Sequence, residues 1–350
     1  MNILSADANN FIYKIFFKVR YLILYVLIGF ISILVELFLR KTLLTLSIQD
    51  IFASMISLFL GILLAFFLNI KINFKISAGK VKNSLIFFFL ISFLSFLTQN
   101  ILSNFVLKNF EYESARIVIS GICFIFFYFL HLKISFKNTI KTGVAIYVNG
   151  VEDIAKIYSK IKSFPDFIQV DIVDTSFYEK ALDIKSYRLE TIKAYWPNKE
   201  IHVHIMSKNP QEWIEKSIPY ADKIFFHYEM NDNIKDILNK FKKNNEKFGL
   251  AVSINTDFEK YKEFLKIFKN FLLVSIPNPG YSGQKFSNKT YETIQKIRNY
   301  QGSKIEKLCI DGGIDENNIK NLDADEIVSG SYILEAKNPI QNILKLQFNL

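Results

Sequence analysis

The sequence predicts two unlike halves. Residues 1–140 are expected to form an all-α domain of four transmembrane helices, and residues 141–350 an α/β domain of the (β/α)8 barrel class. Two observations carry this. Up to about Lys137 the chain is rich in Phe, Leu and Ile with long uncharged runs, whereas from Gly143 short apolar runs alternate with amphipathic ones. In that second half five motifs each follow or close an apolar run: Gln169-Val-Asp171-Ile-Val-Asp174, His202-Val-His204-Ile-Met206, Asn278-Pro-Gly280-Tyr-Ser282-Gly283-Gln284, Asp311-Gly312-Gly313 and Ser329-Gly330-Ser331. The mean hydropathy of +0.19 averages over both halves.

Four segments, near 20–40, 50–70, 84–107 and 115–133, match the roughly 20 apolar residues that a bilayer crossing needs. They are apolar on every face, which argues against a soluble bundle with one buried stripe. No small-residue cleavage site follows the first of them, so a removable signal peptide is not expected. Lys14, Lys18, Arg20, Lys71, Lys75, Lys80, Lys82, Lys133, Lys137 and Lys141 fall on one side, against Arg40, Lys41, Lys108 and Arg116 on the other. That asymmetry predicts a multi-pass protein of the inner (cytoplasmic) membrane with both termini in the cytoplasm. The net charge of +10 suits anionic lipid headgroups; no nucleic-acid motif is present and no nucleic-acid partner is expected. Cys123 falls in a span and Cys309 in a strand, so neither a structural disulfide nor a cysteine nucleophile is expected.

The membrane half carries an internal repeat. Phe66–Lys75 closes the second span and Tyr128–Lys137 the fourth, with Leu, Lys, Ile, Phe and Lys at identical spacing. Each end sets a cation, Lys71 or Lys133, at the headgroups beside an aromatic anchor. A duplicated two-span unit is one reading, the general look of helix ends the other; internal repeats are common in small transporters. The span count and the segment Asn69-Ile-Lys71-Ile-Asn-Phe resemble the GtrA-like family of small four-span proteins, with Lys71 in place of the usual Arg. The resemblance implies a partner among membrane lipids, a polyprenyl-phosphate-linked sugar used in cell-envelope polysaccharide synthesis. Glu36 is the intramembrane carboxylate of interest, either paired with Arg40 one turn on or in contact with substrate.

In the second half, strands are expected near 144–148, 167–173, 200–206, 223–228, 247–253, 271–276, 307–311 and 325–329, with amphipathic stretches such as 151–161, 211–217, 232–242 and 288–298 between them. Eight such units suit the barrel, whose chemistry gathers at the C-terminal strand ends. Inverting a carbon beside a carbonyl needs one group to remove a proton and another to return it, which two facing carboxylates can do. Asp171 and Asp311, expected on opposite sides of the mouth, are the candidates. Backbone N–H groups at the glycines after strands six to eight form a natural phosphate site, here Gly280, Ser282, Gly283, Gly312, Gly313, Gly330 and Ser331.

The ordered motifs, over essentially all of 143–335, resemble ribulose-phosphate 3-epimerase. His204-Ile-Met206, Phe226-His227-Tyr-Glu229, Asn278–Phe286, Asp311-Gly-Gly-Ile and Gly330-Ser331 carry the likeness. The resemblance implies a ketose phosphate substrate, an enediolate intermediate and a divalent metal of the zinc, iron, manganese or cobalt type. It implies Asp171, His204, Asp311 and the position of Gln169 as metal ligands, Met206 and His227 in the substrate pocket, and self-association into a homo-oligomer. Three departures stand out. Gln169 replaces an expected His and is a poorer ligand for zinc-like ions, so weakened or altered metal binding is expected. Asp174-Thr-Ser-Phe177 replaces Asp-Gly-His-Phe, and the first-strand Ser has no counterpart around Ile146–Asn149. His202 is expected to face away from His204 and to be structural. The resulting reading is a membrane-tethered sugar-phosphate epimerase; the alternative is a barrel that binds a sugar phosphate without turnover and regulates the membrane half.

Overall fold

A computed structural model describes residues 3–74, 81–106, 112–135 and 140–347. The chain divides into two compact units, Met1–Asn138 and Thr139–Leu350.

The first unit is helical. Helix α1 (Ile3–Thr45) packs along α2 (Asp50–Leu68), and α3 (Val81–Val106) along α4 (Tyr112–Leu130). Among the described residues, Val19–Thr45 and Asp50–Asn73 are long and apolar enough to cross a bilayer, and Ser84–Gln99 is a shorter apolar stretch. Two of the four expected crossings thus have direct support. Large apolar side chains such as Phe38, Ile51 and Met55 point outward on α1 and α2, an arrangement that suits lipid rather than water. Both copies of the repeat end in the same way. A five-residue π-helical turn, Asn69–Asn73, follows α2, and a second, His131–Ser135, follows α4 at the equivalent register. Each turn holds a polar pair four residues apart: Asn73 Nδ2 donates to Asn69 Oδ1 at 3.1 Å, and His131 Nδ1 lies 3.0 Å from Ser135 Oγ. Lys71 is exposed; Lys133 lies in the second turn, its side chain outside the described atoms, and Lys75, Lys80 and Lys137 lie outside the described residues. Glu36 is half-buried on α1, packed against Gly61 of α2, where an added Cβ would sit 3.2 Å from Glu36 Cβ. The Arg40 guanidinium reaches Asp50 at 2.6 Å and Ser54 at 2.9 Å, partners across the α1–α2 turn that helical spacing alone did not suggest.

The second unit is a closed parallel barrel of eight strands in chain order: β1 (Lys141–Tyr147), β2 (Phe167–Val173), β3 (Glu200–Met206), β4 (Lys223–His227), β5 (Phe248–Ser253), β6 (Asn270–Val274), β7 (Lys307–Asp311) and β8 (Glu326–Ser329). The outward residues of the strands, among them Val144, Ile168, Val170, Val203 and Ile310, pack under the helices as one buried layer. The inward residues fill the lumen. Phe167 and Phe225 fit there because glycines stand opposite them: an added Cβ at Gly143 would lie 2.3 Å from the Phe167 ring, and one at Gly249 would lie 2.4 Å from Phe225. Residues two apart share a strand face, so His202 and His204 both point into the lumen, against the expectation that they diverge. The His202 ring stacks on Phe167 with centroids 4.1 Å apart, in the lower layer, and His204 sits one layer higher.

That lower layer also buries charge. Glu326 is 1% exposed and takes Lys223 Nζ on both oxygens, at 2.9 and 3.0 Å, while His202 lies against Glu200 at 3.3 Å. Removing one member of a buried pair strands the other, at a cost of about 3–5 kcal/mol, whereas removing both is nearly neutral. Lys223→Met is therefore expected to destabilise the barrel by about that amount, and adding Glu326→Leu to restore most of it. Denaturation followed by tryptophan fluorescence reads this unit directly, since both tryptophans, Trp196 and Trp213, lie within it.

Candidate functional site

Strand alternation brings the chemistry-bearing side chains together at the upper end of the lumen. On β2, Gln169 and Asp171 point inward; on β3, His204 and Met206; on β7, Asp311; and on β1, Tyr147. Strands β2 and β7 are separated by β8 and β1, so the two aspartates are not diametrically opposed, but both lean toward one point. Gln169 Nε2 donates to Asp171 Oδ1 at 2.8 Å and to Asp311 Oδ2 at 2.7 Å. His204 Nδ1 faces the same two oxygens at 3.4 and 3.3 Å, close enough for charge attraction but without a well-aligned hydrogen bond. Gln169 Oε1 is buried and has no partner.

Behind His204 stands a relay. Its Nε2 lies 2.9 Å from His227 Nε2, and His227 Nδ1 lies 2.8 Å from Glu229 Oε2. Glu229 is fixed in turn by the Ser253 N–H at 2.9 Å and by the Thr256 hydroxyl. The simplest proton arrangement has His227 donate from Nδ1 to Glu229 and accept at Nε2 from His204. His227, expected in the pocket, is instead wholly buried behind His204 and does not line the cavity.

These contacts set the titration of the groups. For His204, burial disfavours the cation, but the Asp171 and Asp311 carboxylates more than offset it and raise its pKa to about 9. Burial pushes Asp171 up, against the pull of His204 and Gln169. Burial also holds His227 down, with Glu229 opposing. For Glu229, burial would raise the pKa, but His227, Thr256 and the Ser253 N–H outweigh it and lower it to about 2.

The donor set can be tested for a metal. One ligand atom from each of Asp171, His204 and Asp311 falls within 4.8 Å of the others. Two carboxylates and an imidazole nitrogen with no partner of its own suit a divalent cation. Among the described residues a second group, Glu200, His202 and Glu326, also lies within that range, but Lys223 already occupies Glu326.

Met206, Gly280, Ser282, Gly283, Gly312, Gly313, Gly330 and Ser331 line the cavity above the aspartates. The loop after β6 is tied to itself: Gln284 Oε1 accepts from Asn278 N at 3.1 Å, and its Nε2 donates to Tyr281 O at 3.0 Å. Tyr281 leans on Tyr178 from the loop after β2, with ring centroids 5.4 Å apart. Gly313 has φ +65°, and an added Cβ would sit 2.5 Å from Phe286 N, so glycine is required there. Sequence reasoning missed two residues. Tyr147 occupies the mouth where no serine was found, and burial with Asp171 and Asp311 nearby drives its pKa upward. Glu229 stood in a quoted motif without a role. Alternation from the end of β1 could have found Tyr147; Glu229 closes its relay only in three dimensions.

A profile of the Ribulose-phosphate 3 epimerase family matches residues 148–334, and one of the GtrA/DPMS transmembrane domain matches 24–136. A ribulose-phosphate 3-epimerase of Chlamydia pneumoniae is 33% identical over 181 residues, which make up 49% of this chain and 77% of that protein. The enzyme of that name from Aquifex aeolicus is 31% identical over 190 residues, covering 52% of this chain and 84% of its own length.

The relay makes a prediction about acid. Glu229 is lowered from 4.5 to about 2 on folding, so its stabilisation is complete above pH 4.5 and is lost as pH falls toward 2. Wild type should lose more stability across that window than Glu229→Gln, measured by denaturation at several pH values. Parallel losses in the two proteins would show that Glu229 is not the acid-sensitive group.

Proposed function

The chain belongs to the ribulose-phosphate 3 epimerase family, and we propose that its barrel epimerises ribulose 5-phosphate or a related ketose phosphate at C3. The observation that carries this is the pair Asp171 and Asp311, both bonded to one nitrogen and so converging on one buried point. In this reading one carboxylate removes the C3 proton and the other returns one on the opposite face. Burial holds Asp171 above the usual carboxylate range, closer to where an acid–base group works at neutral pH. Asp171, His204 and Asp311 would hold a divalent ion, which would supply positive charge to the substrate oxygens as the C3 proton leaves. The His227–Glu229 relay orients the imidazole of His204 so that Nδ1 faces the aspartates. Gly312, Gly313, Gly330 and Ser331 are assigned to the phosphate through backbone N–H groups. Gly280, Ser282, Gly283 and Met206 are assigned to the rest of the substrate.

The N-terminal unit is assigned to a multi-pass anchor in the inner membrane, with both termini cytoplasmic, in keeping with the lysine asymmetry. The match to a GtrA/DPMS transmembrane domain supports a polyprenyl-phosphate-linked sugar as its lipid partner, and hence a link to cell-envelope polysaccharide synthesis. Glu36, Asn69, Lys71 and Lys133 are the candidates for contact with that lipid. One feature favours a second reading: the Gln169 amide already satisfies both aspartates. A barrel held in that state would bind sugar phosphate without turnover and regulate the membrane unit.

The test uses the full chain in detergent with ribulose 5-phosphate in deuterated water, following exchange at C3 by NMR. Wild type is expected to exchange, and Asp171→Asn and Asp311→Asn each to lose about 10²–10⁴-fold. Unchanged exchange in either variant removes the assigned acid–base pair. Saturable binding of the ketose phosphate with no exchange in wild type would favour the regulatory reading.

A further inference from the structure

Four atoms converge at the mouth of the barrel: Asp171 Oδ1, Asp311 Oδ2, His204 Nδ1 and Gln169 Nε2. The Gln169 nitrogen is 2.7–2.8 Å from the same two oxygens that face His204 at 3.3–3.4 Å. Three of the four can hold a cation. The fourth cannot, because an amide nitrogen has no free lone pair and carries its hydrogens toward the aspartates. Its partner atom, Gln169 Oε1, can ligate, but it points away into a buried spot where nothing bonds it.

The amide is nearly symmetric in shape, and turning it by half a rotation exchanges Nε2 and Oε1. With no cation between the aspartates, an inward oxygen would meet two carboxylate oxygens at hydrogen-bond distance and be repelled; the inward N–H groups are then favoured. With a cation there, inward hydrogens would be repelled and the inward oxygen would gain a ligand bond. In either position one atom of the amide faces away from the aspartates, so the number of orphaned polar atoms does not increase. We propose that Gln169 is a two-position residue: its amide nitrogen cross-links Asp171 and Asp311 in the metal-free barrel, and its amide oxygen completes the coordination of a divalent cation, moving the site toward harder ions such as Mn²⁺ or Mg²⁺, and away from Zn²⁺, relative to a site with a second imidazole.

The preference follows from donor type. Three oxygen donors and one nitrogen suit harder ions, whereas a second imidazole would move the site toward zinc. The metal-free state follows from the same residue. Two carboxylates sharing a buried point repel each other, and the Gln169 amide that donates to both holds them in place before any ion arrives. The inference rests on the reading of the barrel as a metal-assisted epimerase, and the experiment separates the two.

Full-length protein in detergent, stripped of metal, is titrated calorimetrically with Mn²⁺ and with Zn²⁺, as wild type, Gln169→His and Gln169→Leu. Electron spin-echo spectra of the Mn²⁺ complexes count the coordinated histidine nitrogens. Wild type is expected to bind Mn²⁺ with one histidine nitrogen. Gln169→His should show two, with its affinity ratio moved toward Zn²⁺ by about tenfold or more. Gln169→Leu should lose about tenfold or more in Mn²⁺ affinity. Equal Mn²⁺ binding by wild type and Gln169→Leu would overturn the proposal, since Gln169 would then not be a ligand. An unshifted ratio in Gln169→His would overturn the selectivity, because a second imidazole would have changed nothing. If only Gln169→His binds an ion, the two-position residue fails while the metal-assisted reading of the fold survives. If no variant binds either ion, both fail.

Discussion

Two like charges drawn to one desolvated point organise the upper half of the barrel. Asp171 and Asp311 sit on strands three steps apart and lean inward until a single nitrogen bonds both. Left alone, that pair would protonate or splay apart. His204 supplies positive charge from one side and the Gln169 amide supplies donors from the other. His204 could not hold its orientation unaided, because its ring is fully buried and its far nitrogen needs a partner. His227 and then Glu229 provide that partner, and Glu229 ends on a backbone N–H of β5. The chain of contacts therefore runs from β2 and β7 through β3 and β4 to β5. It couples the position of the aspartates to most of the barrel circumference.

The opposite end of the lumen solves a different problem with similar residues. Glu326 is as buried as the aspartates above, but it meets a lysine on both oxygens, and His202 is packed flat on Phe167. His202 Nδ1 there also lacks a hydrogen bond, but Lys223 already occupies both Glu326 oxygens and supplies the charge a cation would bring. At the upper end Gln169 Oε1 and His204 Nδ1 remain without hydrogen bonds. The division matches the general behaviour of the fold, in which the N-terminal ends of the strands carry stability and the C-terminal ends carry chemistry.

The strands were legible because each is a short apolar run bounded by polar turns, and the predicted ranges differ from the observed ones by only a few residues at the ends. Asp171, His204 and Asp311 were legible for the same reason, as polar residues interrupting apolar strands. Other features depend on geometry that one dimension does not hold. Glu36, one turn back on its own helix, was one candidate partner for Arg40; the guanidinium reaches Asp50 and Ser54 across a turn whose path the sequence does not fix. Glu229 gains its meaning only when β4 and β5 lie side by side. The orientation of His202 was legible and was misread, since period two places it with His204. Tyr147 pairs in register with Asp171, so the same alternation places it in the lumen at the height of the aspartates.

The membrane unit shows the same logic in a solvent with no water to fall back on. A polar side chain in a lipid-facing helix must find its partner nearby, and a helix that widens by one residue frees backbone groups that also need partners. The two π-helical turns meet both demands with the same device: a polar residue at the start and another four residues on. Asn69 and Asn73 bond each other, and Asn73 also reaches the Tyr21 carbonyl on α1 at 3.1 Å. His131 and Ser135 form the corresponding pair, with the His131 ring set against Phe88 and Tyr25. The residue types differ between the copies while the spacing, the backbone and the pairing agree. Chance similarity of two helix ends accounts for a lysine beside an aromatic, since any headgroup boundary favours both. It does not account for a rare backbone form recurring at one register with an internal polar pair in each copy, whereas duplication of a two-helix unit does.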